Sequence, residues 1–468
     1  MSTTVTVRTP AGTVVGRQHQ NVRRFLGIPY AEAPTGARRF AAPVPRGRFT
    51  QPYDATRPGA TAQRVPLFAT TTIPEPSVPG DDVLNLSVTA PGADGCPVLV
   101  WIHGGGFLAG SPASPWYDGR AFARDGVVTV TVGHRLGVDG FAVLDDVPTN
   151  LALRDLLLAL DWVRENISAF GGDPDRVTVA GQSAGGAAVL ALLSSPAGRG
   201  RFQRAVSLSG GLFEVDAPTV RGFLARLAER LGVPPTRAGF AACDPESVQR
   251  GVLDLRNGDD ALVLGPVVGD DILPVPLVEG LAVHGRDVPL LLGATGDEFD
   301  GDTFDRDRDR DGDSDPPDRD GDCDCDGDRD GDRDRDRGAR AAGTRTTDLL
   351  FRSACPRVAA ARRDAPAGTW LYSFEWPSPT LGGAVHCVDL PFFFDLLDAP
   401  GVQEAFGPNP PADLATRMHA DLVAFVHGRT PAWGRATGRL GDPAREYGRP
   451  LAADTRGVYD PVTGATAC

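Results

Sequence analysis

At 468 residues and 41% hydrophobic content, the chain is long enough to bury a large core. All 47 basic residues are arginine, and the absence of lysine excludes a phosphate-loop lysine, a Schiff base and a serine–lysine dyad. The formal charge of −14 argues against nucleic acid as a partner, and no apolar run reaches the roughly 18 residues of a membrane span.

The N-terminus, MSTTVTVRTPAG, has no charged start, apolar stretch or cleavage site. It reads as the start of a domain rather than a leader, so the expected location is the cytoplasm. Residues 3–8 and 12–16 predict two strands around a Pro-Ala-Gly turn, and 25–45 a Pro- and Gly-rich loop with short strands. Residues 83–88 alternate as a half-buried strand. Residues 97–102 and 127–132 are short, β-branched and nearly continuous in apolar character, as strands buried on both faces are. Thr149 or Asn150 is placed to cap a helix running to about Ile167. Further strands are expected at 176–180, 204–210, 288–294 and 369–376. Helices are expected after Ser183 and near 217–232, 245–256, 346–362 and 411–427. Strands alternating with helices predict an α/β fold, a mostly parallel sheet covered on both faces.

Residues 300–338 break this pattern. Between 300 and 337 stand 18 Asp and 8 Arg, so this stretch carries −10 of the chain's charge and almost no apolar residue. Such a composition reads as a disordered insert in an otherwise single domain. The alternative is calcium binding, since Asp307, Asp309, Asp311, Gly312 and Asp318 match the spacing of a calcium loop. The seven cysteines are odd in number and widely spread, with no Cys-x-x-Cys pair. They suggest neither a disulfide framework nor a zinc ribbon, and no metal or other cofactor is expected.

Gly181-Gln182-Ser183-Ala184-Gly185 sits where the 176–180 strand meets a helix. A Gly-x-Ser-x-Gly at such a junction is a nucleophile elbow, which projects the serine above the sheet. Gly-rich helix starts that merely pack on a sheet share the five-residue pattern, and the strand and helix around it favour the elbow. The sequence WIHGGGFLAG follows another buried strand, so the N–H groups of Gly105, Gly106 and Ala184 are placed to form an oxyanion hole. Without lysine, the base for Ser183 is a histidine. His419 and His427 read as surface or boundary positions of a helix, whereas His386 lies in a Gly-rich loop and His284 precedes a strand. Asp297 and Glu298, just past the 288–294 strand, are both placed to orient the base.

These blocks, with FLGIPYAEAPTGARRF and NLALRDLLLALDWVRENISAFGGDPDRVTVAGQSAGG, resemble the type-B carboxylesterases nearly end to end. The resemblance implies an α/β-hydrolase fold and a serine esterase acting without a cofactor on small-molecule esters. Short-chain, neutral esters are the expected substrates. It implies a triad of Ser183, Glu298 and His386, an oxyanion hole of Gly105, Gly106 and Ala184, and Ser209 and Gln182 beside the triad. Three departures stand out. Phe299 replaces the glycine after the acid, which leaves Asp297 as a rival to Glu298. Val83 replaces a disulfide cysteine, in keeping with a reducing compartment. Gln182 replaces the commoner glutamate before the nucleophile, which weakens the case for a cationic alcohol. The 300–338 stretch stands where the family has helices lining the acyl pocket, so the resemblance implies a pocket open on that side. A hydrolase-fold scaffold without catalysis is the competing function, and the sequence does not choose between monomer and homodimer.

Overall fold

The computed structural model describes residues 2–66, 72–255, 263–299, 348–448 and 452–463. The 300–338 stretch, with its calcium-loop alternative and the expected open side of the pocket, lies outside them. The described strands are β1 (Thr3–Thr9), β2 (Gly12–His19), β3 (Val22–Pro29), β4 (Tyr53–Asp54), β5 (Asn85–Ala90), β6 (Cys96–Ile102) and β7 (Val128–Val132). They continue with β8 (Gly172–Gln182), β9 (Arg204–Leu208), β10 (Leu290–Thr295), β11 (Thr369–Phe374), β12 (Pro443–Tyr447) and β13 (Ala452–Arg456). They form one 13-stranded sheet in the order β1-β2-β3-β5-β7-β6-β8-β9-β10-β11-β12-β13, with β4 beside β2. From β7 to β12 every pairing is parallel, and the pairings outside that block, β4 with β2 apart, are antiparallel.

Every residue of β6, β7, β10 and β11 is buried, as helices on both faces require, and for β6 and β7 as their nearly continuous apolar character predicts. The core accordingly splits into two apolar clusters. The helix Ala184–Ser194 is buried at every position, which explains its lack of a polar face. The predicted helices near 217–232, 245–256 and 411–427 are found at Ala217–Leu231, Pro245–Leu255 and Ala412–Val426.

Several expectations need correction. Residues 83–88 are not a half-buried strand: β5 starts at Asn85 and all but Ser87 is buried, with Leu86, Val88 and Ala90 in the main core cluster. Asn150 does not cap its helix, Leu151–Asn166. It is left-handed (φ 56°), and its side chain instead bonds Val267 N–H and O and Asp270. The stretch 346–362 contains a π-turn at Asp348–Arg352 and then the helix Ala354–Ala361. His419 is not at the surface. It is buried, with Nδ1 at 2.8 Å from Phe393 O and Nε2 at 3.0 Å from Asp125.

Candidate active site

The site forms at the C-terminal ends of β6, β8 and β10. β8 ends at Gln182, and the helix Ala184–Ser194 starts two residues later, so Ser183 alone makes the turn. Its backbone is at φ 56°, ψ −124°, a strained conformation for a residue with a Cβ. Two hydrogen bonds hold it there: Ser183 N–H donates to Leu208 O at 2.8 Å, and Ala187 N–H donates to Ser183 O at 2.8 Å. The flanking glycines are dictated by space. A Cβ on Gly181 would stand 2.5 Å from the Gly185 backbone, and one on Gly185 only 2.1 Å from Ile102 O. The tight turn therefore seats the new helix directly on the end of β6. Ser183 itself stays partly exposed.

The glycine loop leaves that same end of β6. Gly105 (φ 111°) and Gly106 (φ 59°) are both at positive φ, and a Cβ on Gly105 would meet Ala109 O at 2.2 Å. Neither N–H donates to a partner among the described residues, and both residues are partly exposed. Ala184 N–H, first in its helix, has no intrahelical acceptor. Behind the loop, the His103 ring stacks on His134 at 4.8 Å, and its Nδ1 lies 2.8 Å from Gly104 O. Burial, helped by His134, pushes His103 down to about 3. The ring is therefore neutral and fixes the loop by donating Nδ1–H to that carbonyl.

Glu298 follows β10 and is buried, and its carboxylate Oε2 is bonded to His386 Nδ1. Its Oε1 accepts Thr295 N–H at 2.9 Å. The two loops are also joined through backbone, by His386 N–H to Glu298 O at 2.7 Å and Asp297 N–H to Ala384 O at 3.1 Å. Asp297 faces away from the imidazole, and its Oδ2 accepts Ala384 N–H at 2.7 Å. Of the two candidate acids, Glu298 is the one on the histidine. His284 is not drawn into this site: it ends the helix Leu277–Val283. Burial disfavours the charged form of His386, but Cys387 and Glu298 beside the ring prevail and raise it well above the usual histidine range. The Cys387 thiol is itself pushed up by burial and stays neutral, so Glu298 is the effective partner.

Sequence reasoning placed Gln182 and Ser209 beside this pair but missed the aromatic rings and the second buried carboxyl around it. Phe299, whose presence put Glu298 in question, lies almost parallel to the imidazole at 5.0 Å, and Phe351 lies at 4.9 Å. The two rings meet each other at 5.4 Å. Buried Asp389 accepts the Tyr372 hydroxyl at 3.1 Å, and burial, with Glu298 nearby, pushes it up to about 7. Its position three residues after His386, within a single loop motif, was the available signal. Gln182 Nε2 reaches His386 Nε2 at 3.1 Å and Cys387 Sγ at 3.0 Å. Ser209 follows β9 at φ 47°, but its Oγ is buried without a hydrogen-bond partner among the described residues, so no bond ties it to the acid.

A partly exposed serine on a strained strand-to-helix turn, beside open backbone donors and a histidine held by a buried glutamate, defines a serine hydrolase of the α/β-hydrolase class. The Carboxylesterase family profile matches residues 3–319. Para-nitrobenzyl esterase of Bacillus subtilis (strain 168) is 34% identical over 412 residues, covering 84% of this chain and 83% of its own. Phenmedipham hydrolase of Pseudarthrobacter oxydans is 33% identical over 495 aligned positions, 95% of each chain. Among solved structures, a PNB esterase superposes with TM-score 0.82 at 28% identity over 99% of both chains. A Geobacillus stearothermophilus carboxylesterase gives 0.81 at 30% identity, over 98% of this chain and 99% of that one. The chain belongs to the carboxylesterase family and is a carboxylic ester hydrolase.

Proposed function

We propose that the reaction runs through an acyl-enzyme on Ser183. His386 Nε2 takes the Ser183 proton as Oγ attacks the ester carbonyl. The N–H groups of Gly105, Gly106 and Ala184 receive the oxyanion. The ester C–O bond then breaks, and the leaving alcohol takes the proton from His386. Water repeats the cycle on the acyl group. Glu298 keeps the imidazole proton on Nδ1 and stabilises the imidazolium that forms in between. The observation that carries this reading is the Glu298–His386 bond, which turns Nε2 toward the end of β8 where Ser183 stands. Short-chain esters of neutral alcohols are the substrate class. The uncharged Gln182 at the imidazole supports this, since it offers a cation no carboxylate there. The enzyme works in a reducing, cytoplasmic setting, and the free thiols of Cys96, Cys243, Cys355 and Cys387 support that.

The test is initial rates on para-nitrophenyl acetate, butyrate and octanoate for wild type and Ser183→Ala. The wild type is expected to favour acetate and butyrate, and the variant to be inactive on all three. Full activity in Ser183→Ala would overturn the nucleophile, and a preference for octanoate would overturn the substrate class.

A further inference from the structure

Gln182 closes β8 one residue before the nucleophile and is fully buried. Because Glu298 holds His386 Nδ1, the neutral ring carries its proton there and leaves Nε2 as a bare acceptor. The Gln182 amide donates to it across 3.1 Å. In the neutral ring, the nitrogen that must serve Ser183 is thus engaged by the residue next to Ser183. The other end of the same amide is unsatisfied. Gln182 Oε1 is buried with no hydrogen-bond partner among the described residues, and it points at Gly104, where a Cβ would stand 2.6 Å away. A buried acceptor without a donor is costly to keep.

Taking up the Ser183 proton reverses what Nε2 presents. It now carries hydrogen, and the amide N–H that faced it is repelled. A half-turn about the terminal torsion of a glutamine exchanges its nitrogen and oxygen within the same volume, and that torsion is broad and two-fold. We propose that Gln182 is a positioning residue that turns its amide with the protonation of His386, a donor to the neutral ring and an acceptor for the imidazolium. The inference rests on the acyl-transfer reading of Ser183 and His386. A carboxylate at this position can only accept, so it would favour the imidazolium throughout the cycle. Glutamine gives a base that surrenders its proton to the leaving alcohol more readily.

Other titratable groups surround the ring. Glu298 comes from the β10 loop, and Cys387 and Asp389 lie on its own loop. Tyr372 of β11 is bonded to Asp389, and Tyr117 lies near Cys387. Asp389 titrates in the range that matters, so the test is run with and without it.

The experiment measures kcat and KM against pH for wild type, Gln182→Glu and Gln182→Met, and repeats the first two with Asp389→Asn. Gln182→Glu is expected to move the acid limb of kcat/KM up by about one pH unit, in both backgrounds. Gln182→Met, similar in shape but unable to bond, is expected to lose about tenfold in kcat with KM within about twofold and no upward shift. An acid limb that stays put in Gln182→Glu, or wild-type kcat in Gln182→Met, overturns the proposal. If Gln182→Glu fails to fold, Gln182→Met decides alone. Labelling of Ser183 by a fluorophosphonate separates the two levels. No labelling of the wild type removes the acyl-transfer reading and this inference with it, whereas labelling with unmoved profiles removes this inference only.

Discussion

Two acid–base pairs in this molecule, each with its carboxylate fully buried, are built to opposite ends. Arg135 and Asp155 are 3% and 0% exposed and leave little unsatisfied. The arginine reaches both carboxylate oxygens, at 2.8 and 2.6 Å, its own N–H adds a third bond at 3.1 Å, and its remaining arm takes Ala41 O at 2.7 Å. In the His386–Glu298 pair the acid is just as deep and the histidine side chain is 16% exposed, and the neighbourhood is full of unused valence. Gln182 Oε1, Ser209 Oγ, Thr295 Oγ1 and Asp389 Oδ1 are all buried without partners among the described residues. The first pair ties the segment after β7 to the helix Leu151–Asn166, and its closure makes it inert. The second is kept incomplete, and an incomplete pair is free to move a proton.

Four experiments sharpen or break that contrast. Ser183→Ala is the largest: about a 10⁶-fold loss in kcat, with an unchanged or higher melting temperature because the strained turn is kept and the reactive group is gone. Glu298→Gln should cost about 10⁴-fold by allowing the wrong imidazole tautomer. The same variant tests the sign of the pH effect. His386 is held above its ordinary 6.5. The base works only when neutral, so wild-type activity is lost as pH falls through a value above that figure, and removing the Glu298 charge moves the loss to lower pH. A pH–rate profile of both proteins checks this. Arg135→Met should leave kcat per folded molecule near wild type while costing about 3–5 kcal/mol in denaturant unfolding, through the stranded Asp155. A comparable loss of turnover there would erase the distinction between the pairs. The smallest effect is expected from Phe299→Gly. It should slow kcat about fivefold, equivalent to one aromatic contact of about 1 kcal/mol.

Much of this was readable in the sequence because the decisive signals were local. Gly181 and Gly185 flank a serine within five residues, and the steric reason for both is present in the turn itself. The runs at 97–102 and 127–132 announce strands covered on both faces, and they are. Asn150 misled because a capping residue type was placed where an Asp270 and Val267 partnership, more than a hundred residues away, decides the backbone. His419 misled for the same reason: its helix pattern says nothing of Asp125 and Phe393 waiting on other elements. In the site, Asp297 and Glu298 are chemically equivalent candidates in sequence. Only the pairing of their loop with residues 384–386 turns one carboxylate to the backbone and the other to the ring. Phe299 looked like a disturbance of the acid and is instead a wall against the imidazole.

That pairing carries a consequence for how the chain tolerates change. Acid and base are stapled at the neck, by Glu298 to His386 and Asp297 to Ala384 on the main chain and by the Asp297 carboxylate on Ala384 N–H. None of these bonds uses a residue between Phe299 and Asp348. Closing a longer or shorter stretch costs only with the logarithm of its length. The position is therefore a socket: foreign sequence of very different size, spliced between these two residues, should leave the carboxylate and imidazole in register and the esterase working.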